Sequence, residues 1–169
     1  LAVRGPLTAK KLKLECDIDV KVFGDPALLT PLYIKNSVNK SNKIGMIPHY
    51  VDKSFIPSSY YEDNGIKFID VETDDILDFC NLVRSCEIII SSSLHGIIIA
   101  EAFGIPAVWL KVGKRVYGDE FKFHDYYLST DREYKPTTFE DLDLVNLKAC
   151  KTIAPEKLRR IQSELINAF

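Results

Sequence analysis

The chain has 169 residues, of which 46% are hydrophobic and 27% charged, and its net charge is −2. That length and balance suit one folded domain with a substantial core and exclude a disordered or low-complexity chain. The near-neutral charge also removes the broad positive field that nucleic acid or an anionic membrane surface would need.

In chain order, Leu1-Ala2-Val3 reads as the end of a strand. Gly5-Pro6 then opens a helix to about Lys13, since a proline in the first helical turn gives up only an N–H that has no partner there. Asp19 to Phe23 alternates as a short strand and runs into Gly24-Asp25-Pro26, where Asp25 suits an N-cap and Pro26 a first helical residue. Residues 36–43, rich in Asn, Ser and Lys, form a polar loop. Lys43 to Tyr50 is an apolar strand with a polar tip, and Ile66 to Asp70 is another strand after the turn Asp63-Asn64-Gly65.

Asp74 to Ser85 is an amphipathic helix with Ile76, Leu77, Phe79, Cys80 and Val83 spaced to cover one face. Glu87 to Ile90 is short and β-branched, as a central parallel strand covered on both sides should be. Ser91-Ser92-Ser93 caps a helix from Leu94 to Phe103 that Gly104 closes, and Pro106 to Val112 is the next strand. Residues 119–134 carry helical signals. Pro155 to Phe169 is a C-terminal helix with Leu158, Ile161, Leu165 and Ile166 on one face, and an exposed apolar stripe there would mark a side turned toward a further domain.

Alternating strands and helices predict an α/β fold: a Rossmann-like, doubly wound, mainly parallel sheet. Residues 1–169 are expected to form a single such domain. The chain begins at Leu1 and enters a strand at once, which leads us to expect a C-terminal piece of a larger protein whose N-terminal domain is absent. Ile88 to Ile99, the longest apolar stretch, is broken by three serines and a histidine and cannot span a bilayer. Cys16, Cys80, Cys86 and Cys150 show no C-x-x-C pair and no clustered histidines, a pattern of reduced thiols rather than a metal or disulfide framework.

Ligands of open α/β sheets sit beyond the carboxyl ends of the strands, beside helix N-termini whose N–H groups attract anions. Three places qualify: Arg4 to Thr8, Pro48-His49-Tyr50, and Ser91 to Gly96. The third has three hydroxyls and an imidazole directly after a buried strand, with Gly96 open to close approach. Plainer readings stand beside these. The serines also suit simple caps, His95 and His49 suit structural or exposed positions, Asp25 is a cap, and Glu101 is a solvated or helix-pairing residue. Phe121, Phe123, Tyr126 and Tyr127 suit core and rim.

Five segments then follow in order: Val3-Arg4-Gly5-Pro6-Leu7-Thr8; Gly24-Asp25-Pro26-Ala27-Leu28-Leu29; Ile44-Gly45-Met46-Ile47-Pro48-His49-Tyr50; Ser91-Ser92-Ser93-Leu94-His95-Gly96 with its continuation to Pro106; and Lys122-Phe123-His124-Asp125-Tyr126-Tyr127. Over residues 1 to about 130 this resembles the polysaccharide pyruvyl transferase family, especially its exopolysaccharide members. The resemblance implies the C-terminal half of a two-domain, GT-B-type protein. It implies transfer of a pyruvyl group from phosphoenolpyruvate to two hydroxyls of a sugar, in a cell-surface polysaccharide or a lipid-linked precursor, forming a cyclic ketal. Partners would be that donor, the glycan acceptor and the N-terminal domain, in the cytoplasm, with membrane association only through a lipid-linked acceptor. No cofactor or metal is implied beyond the donor substrate.

By the same resemblance His95 is the general acid/base and Arg4 the anion-binding arginine, while Ser93, Leu94 and Gly96 bind substrate. Some relatives carry Arg where this chain has Ser93, so Lys122 or Lys114 is expected to replace that charge. His49 would contact donor or sugar. Two other readings remain at this point: a GT-B glycosyltransferase using a nucleotide sugar, and a non-catalytic domain that binds a glycan or a partner protein.

Overall fold

The computed structural model describes residues 1–113, 120–147 and 151–168. Lys114 and Cys150, named above, and the final residue of the last expected helix lie outside them. Strand β1 (Ala2–Val3) leads into helix α1 (Pro6–Cys16), which opens on proline as expected and ends at Asp17 in a left-handed conformation. Strand β2 (Val22–Phe23) is followed by a 3₁₀ turn over Pro26–Leu29, where the Asp25 carboxylate accepts from Ala27 N–H at 3.0 Å, and by the short helix α2 (Thr30–Tyr33).

Next come β3 (Asn42–Ile47), α3 (Ser58–Asp63), β4 (Ile66–Phe68), α4 (Ile76–Arg84), β5 (Cys86–Ser91) and α5 (Leu94–Ala102). The chain continues through β6 (Ala107–Lys111), α6 (Phe121–Ser129), β7 (Thr137–Thr138) and α7 (Pro155–Ala168). Helix α3 and strand β7 were absent from the sequence reading, because six residues and two residues are too few to display a hydrophobic period.

Five strands make one parallel sheet in the order β4-β3-β5-β6-β7, while β1 and β2 pair in a small parallel sheet of their own. The winding direction reverses at β3: the chain steps outward to β4, then returns past β3 to build β5, β6 and β7. This is a doubly wound, Rossmann-like arrangement, and its topological switch point lies between β3 and β5. Side chains alternate across the sheet with the two-residue period of a strand. Ile47, Ile89 and Trp109 enter the core beneath α4, α5 and α6, whereas Met46, Ile90, Val108 and Leu110 enter the core on the other face, with Tyr61 of α3.

Two helical faces differ from the sequence pattern. In α4, Phe79, Cys80 and Val83 are buried but Ile76 and Leu77 are exposed, so the covered stripe begins one turn later than the apolar run. In α7 the covered stripe is Leu158, Ile161, Gln162 and Leu165, and Ile166 points to solvent. Gln162 takes the fourth place because its amide donates to the Leu28 carbonyl at 2.8 Å, and position 166 lies about 100° around the helix from 165. The stripe is not left open: Ile161 and Leu165 close against Gly24, where a Cβ would stand 2.6 Å from the Ile161 side chain.

Glu101 also departs from expectation. It is 1% exposed, accepts two hydrogen bonds from Arg132 (2.8 and 2.6 Å) and one from the Tyr126 hydroxyl (2.6 Å). A carboxylate this deep requires full pairing, and a residue 31 positions downstream supplies it. Phe123, Tyr126 and Tyr127 are core residues, whereas Phe121 is exposed.

Candidate functional site

The tips of β3 and β5 lie side by side at the switch point and are tied together. The His49 backbone N–H donates to the Ser92 hydroxyl at 2.9 Å, and Ser92 N–H donates to the Ile47 carbonyl at 3.2 Å. The Ser91 hydroxyl lies 2.7 Å from the Ile47 carbonyl and 2.8 Å from that of Ser93, and accepts from Ser93 N–H at 3.0 Å. These serines therefore do something other than the capping expected of them. Ser93 holds the cap position of α5 with extended backbone, but no side chain among the described residues caps the helix. The hydroxyls of Ser91 and Ser92 instead join the turn to β3.

Helix α5 descends from this turn into the core. Leu94 is buried, so only its backbone can reach a ligand. At Gly96 a Cβ would stand 2.5 Å from the Ser91 hydroxyl and 3.0 Å from Ile47. The protein itself fills that space, and the glycine lets the helix meet both strands closely. His95, between them, is exposed. Among the described residues no hydrogen bond or ion pair links its imidazole to Arg4.

What links the remaining predicted residues is charge. Arg4 donates its Nε to Asp25 at 3.1 Å, with a third of the side chain exposed. Burial pushes the Lys122 amine below its ordinary value of 10.5, Arg4 pushes it further, and Asp52 opposes both. Burial likewise pushes the His49 imidazole below 6.5, Lys122 adds to that, and Asp52 and Glu72 oppose it. Arg4, Lys122, His49 and Asp52 thus form one electrostatic cluster at the strand tips. His49 Nδ1 lies 3.4 Å from the Val51 N–H, which directs that nitrogen's lone pair inward and leaves Nε2 as the hydrogen-bond donor of the neutral ring.

The first of the expected places, the start of α1, is not open. Asp125 of α6 accepts from Leu7 N–H (2.8 Å), Thr8 N–H (3.1 Å) and the Thr8 hydroxyl (2.5 Å). The carboxylate caps α1 from across the fold. Gly5 permits it, since a Cβ there would stand 1.9 Å from the Asp125 carbonyl oxygen.

Two acidic residues therefore matter that sequence reasoning gave no role. Asp125 sat inside a quoted motif, but its partner lies 118 positions away. Asp52 follows His49 by three residues at the same strand tip, a placement that could have flagged it. Among the described residues no group of three His, Cys, Asp or Glu side chains is arranged to hold a metal ion, and no helix is long and apolar enough to cross a membrane.

Comparison with known proteins gives the following. The sequence model of the family described as polysaccharide pyruvyl transferase matches residues 1–113, which include Arg4, His49, Asp52 and the Ser91–Gly96 turn and stop before Lys122. Over 131 residues the chain is 37% identical to "Uncharacterized protein L143" of Acanthamoeba polyphaga mimivirus, covering 73% of this chain and 45% of that one. Over 137 residues it is 27% identical to "Succinoglycan biosynthesis protein ExoV" of Rhizobium meliloti (strain 1021), covering 80% of this chain and 42% of that one. The chain thus spans less than half the length of these two relatives. No solved structure matches it significantly.

Proposed function

The chain belongs to the polysaccharide pyruvyl transferase family, and on that premise we propose that it supplies the donor-binding and acid/base groups for pyruvyl transfer from phosphoenolpyruvate to a sugar diol. The observation that carries this reading is the cationic face at the switch point. Arg4 and Lys122 stand with the His49 Nε2 donor beside an α5 N-terminus that no side chain among the described residues caps. A phosphate and a carboxylate on one small molecule call for such a set of donors and dipoles.

The chemistry assigns the remaining group. A proton is delivered to the methylene carbon of the donor, which leaves an oxocarbenium-like centre at the adjoining carbon. One sugar hydroxyl attacks there, phosphate leaves with the electrons of its carbon–oxygen bond, and a second hydroxyl closes the ketal. His95, exposed on the first turn of α5, is the proposed proton donor to the methylene. Lys122 supplies the positive charge that some relatives place as Arg at the position of Ser93, which is buried here. The donor's metabolic source puts the reaction in the cytoplasm, and the acceptor is a polysaccharide or its lipid-linked precursor.

The test is phosphate release and ketal formation from phosphoenolpyruvate by the whole protein. His95→Ala should lower kcat by about 10²–10⁴-fold, the usual contribution of a positioned acid or base. A loss below about tenfold in that variant would withdraw the role from His95. Glu101 is committed to Arg132 and Tyr126 and so is not available to a nucleotide sugar, and no observation favours that alternative.

A further inference from the structure

Attack by a sugar hydroxyl releases a proton, and the cluster at the strand tips consists almost entirely of groups that donate. Arg4, Lys122, the His49 Nε2–H and the α5 backbone N–H groups all offer hydrogen. The carboxylates around them are spoken for. Asp25 serves Arg4 and Ala27. Asp70 and Glu72 bind Lys53. Asp125 caps α1.

Asp52 is different. It is 1% exposed, and both of its carboxylate oxygens are buried without a hydrogen-bond partner among the described residues. Its backbone is engaged, the N–H donating to the His49 carbonyl at 2.7 Å and the carbonyl accepting from Phe55 N–H at 3.0 Å, while its side chain meets Lys122 and His49 through charge alone. A buried carboxylate without a hydrogen-bond partner costs folding free energy, and a catalytic role is one reason a native fold keeps such a group.

Taking the pyruvyl-transfer reading as its basis, we infer that Asp52 is the general base of the site, accepting the proton of the attacking sugar hydroxyl. As the new carbon–oxygen bond forms, the hydroxyl O–H bond breaks and its proton moves to an Asp52 oxygen, while the methylene carbon takes a proton from His95. When phosphate departs with the electrons of its carbon–oxygen bond, it receives the proton held by Asp52. The second hydroxyl returns a proton to His95 as the ring closes. One hydroxyl proton is thus balanced by the new methyl group and the other leaves on phosphate, with both residues restored. A carboxylate is basic enough, because a hydroxyl bonding to a cationic carbon is strongly acidified. Asp52 is covered in this structure, so the strand tip must open for the acceptor to reach it, and such catalytic contacts commonly tighten only in the substrate complex.

The experiment uses the whole protein with phosphoenolpyruvate and a panel of methyl hexosides bearing free 4,6- or 3,4-diols. Asp52→Asn should melt no lower than wild type, bind phosphoenolpyruvate at least as tightly because a negative charge has gone, and release phosphate about 10²–10⁴-fold more slowly. Formate should restore part of the phosphate release of Asp52→Ala. Asp52→Asn that melts lower, binds donor more weakly or keeps wild-type turnover overturns the assignment while leaving the transferase reading intact. A wild type that neither binds phosphoenolpyruvate nor releases phosphate overturns both.

Discussion

Lys122 and His49 show how burial sets what a residue can do. The lysine's amine titrates below 10.5, so it loses its charge earlier in an alkaline titration than an exposed lysine would. Phosphoenolpyruvate binding should therefore weaken as the pH rises through that lowered value. Lys122→Arg should move the alkaline limb upward, because a guanidinium keeps its charge; calorimetric titration across pH 7 to 11 checks both. His49 is shifted the same way, and the sign for stability follows. Below 6.5 the unfolded chain takes up a proton that the folded imidazole resists, so this contribution to stability rises with pH up to 6.5 and falls away in acid. The lysine behaves alike between its lowered value and 10.5. The places of Arg4, His49 and His95 in the fold were legible because strand tips and helix starts can be located by pattern. Asp52 was not, since a sequence shows an acidic residue but not whether anything in the fold will pair with it.

At the level of elements, two close approaches govern the site. Gly96 brings α5 against the Ser91 hydroxyl and Ile47, and Gly96→Ala would force an added methyl into contacts of 2.5 and 3.0 Å. The helix must lift, at about 1–3 kcal/mol by the usual cost of overpacking. Urea denaturation should show that loss, and the effect on transfer should exceed it because the helix start moves with the strain. Asp125 fixes α1 to α6. Asp125→Ala leaves two backbone N–H groups and a hydroxyl unmet and should destabilise by about 1–3 kcal/mol for each donor that water cannot reach. The order of strands and helices was readable from periodicity, and so was the start of α1 at Pro6. Faces were less so: Ile76 and Ile166 match an apolar repeat yet lie in solvent, because a repeat records spacing and not where the neighbouring layer ends.

For the molecule as a whole, the parallel sheet reverses its winding between β3 and β5, where folds of this class bind their ligands, and the alternation of elements made that fold class legible. Which strands neighbour one another was not, since pairing order leaves no local mark. The same holds for the Glu101–Arg132–Tyr126 network that joins α5 to the segment after α6. Arg132→Met should strand the buried Glu101 carboxylate and cost about 3–5 kcal/mol, read as a lower melting temperature at pH 7.

The Asp125 clamp has one more consequence. Arg4 immediately precedes the α1 turn that the clamp holds, and Lys122 stands one turn before Asp125 on α6. Two like charges from distant parts of the chain are consequently held at a set span before any anion arrives. Their mutual repulsion is overcome during folding rather than at each encounter, so an arriving anion meets a cationic caliper whose gauge two carboxylates set, Asp125 through the backbone and Asp25 through the Arg4 side chain.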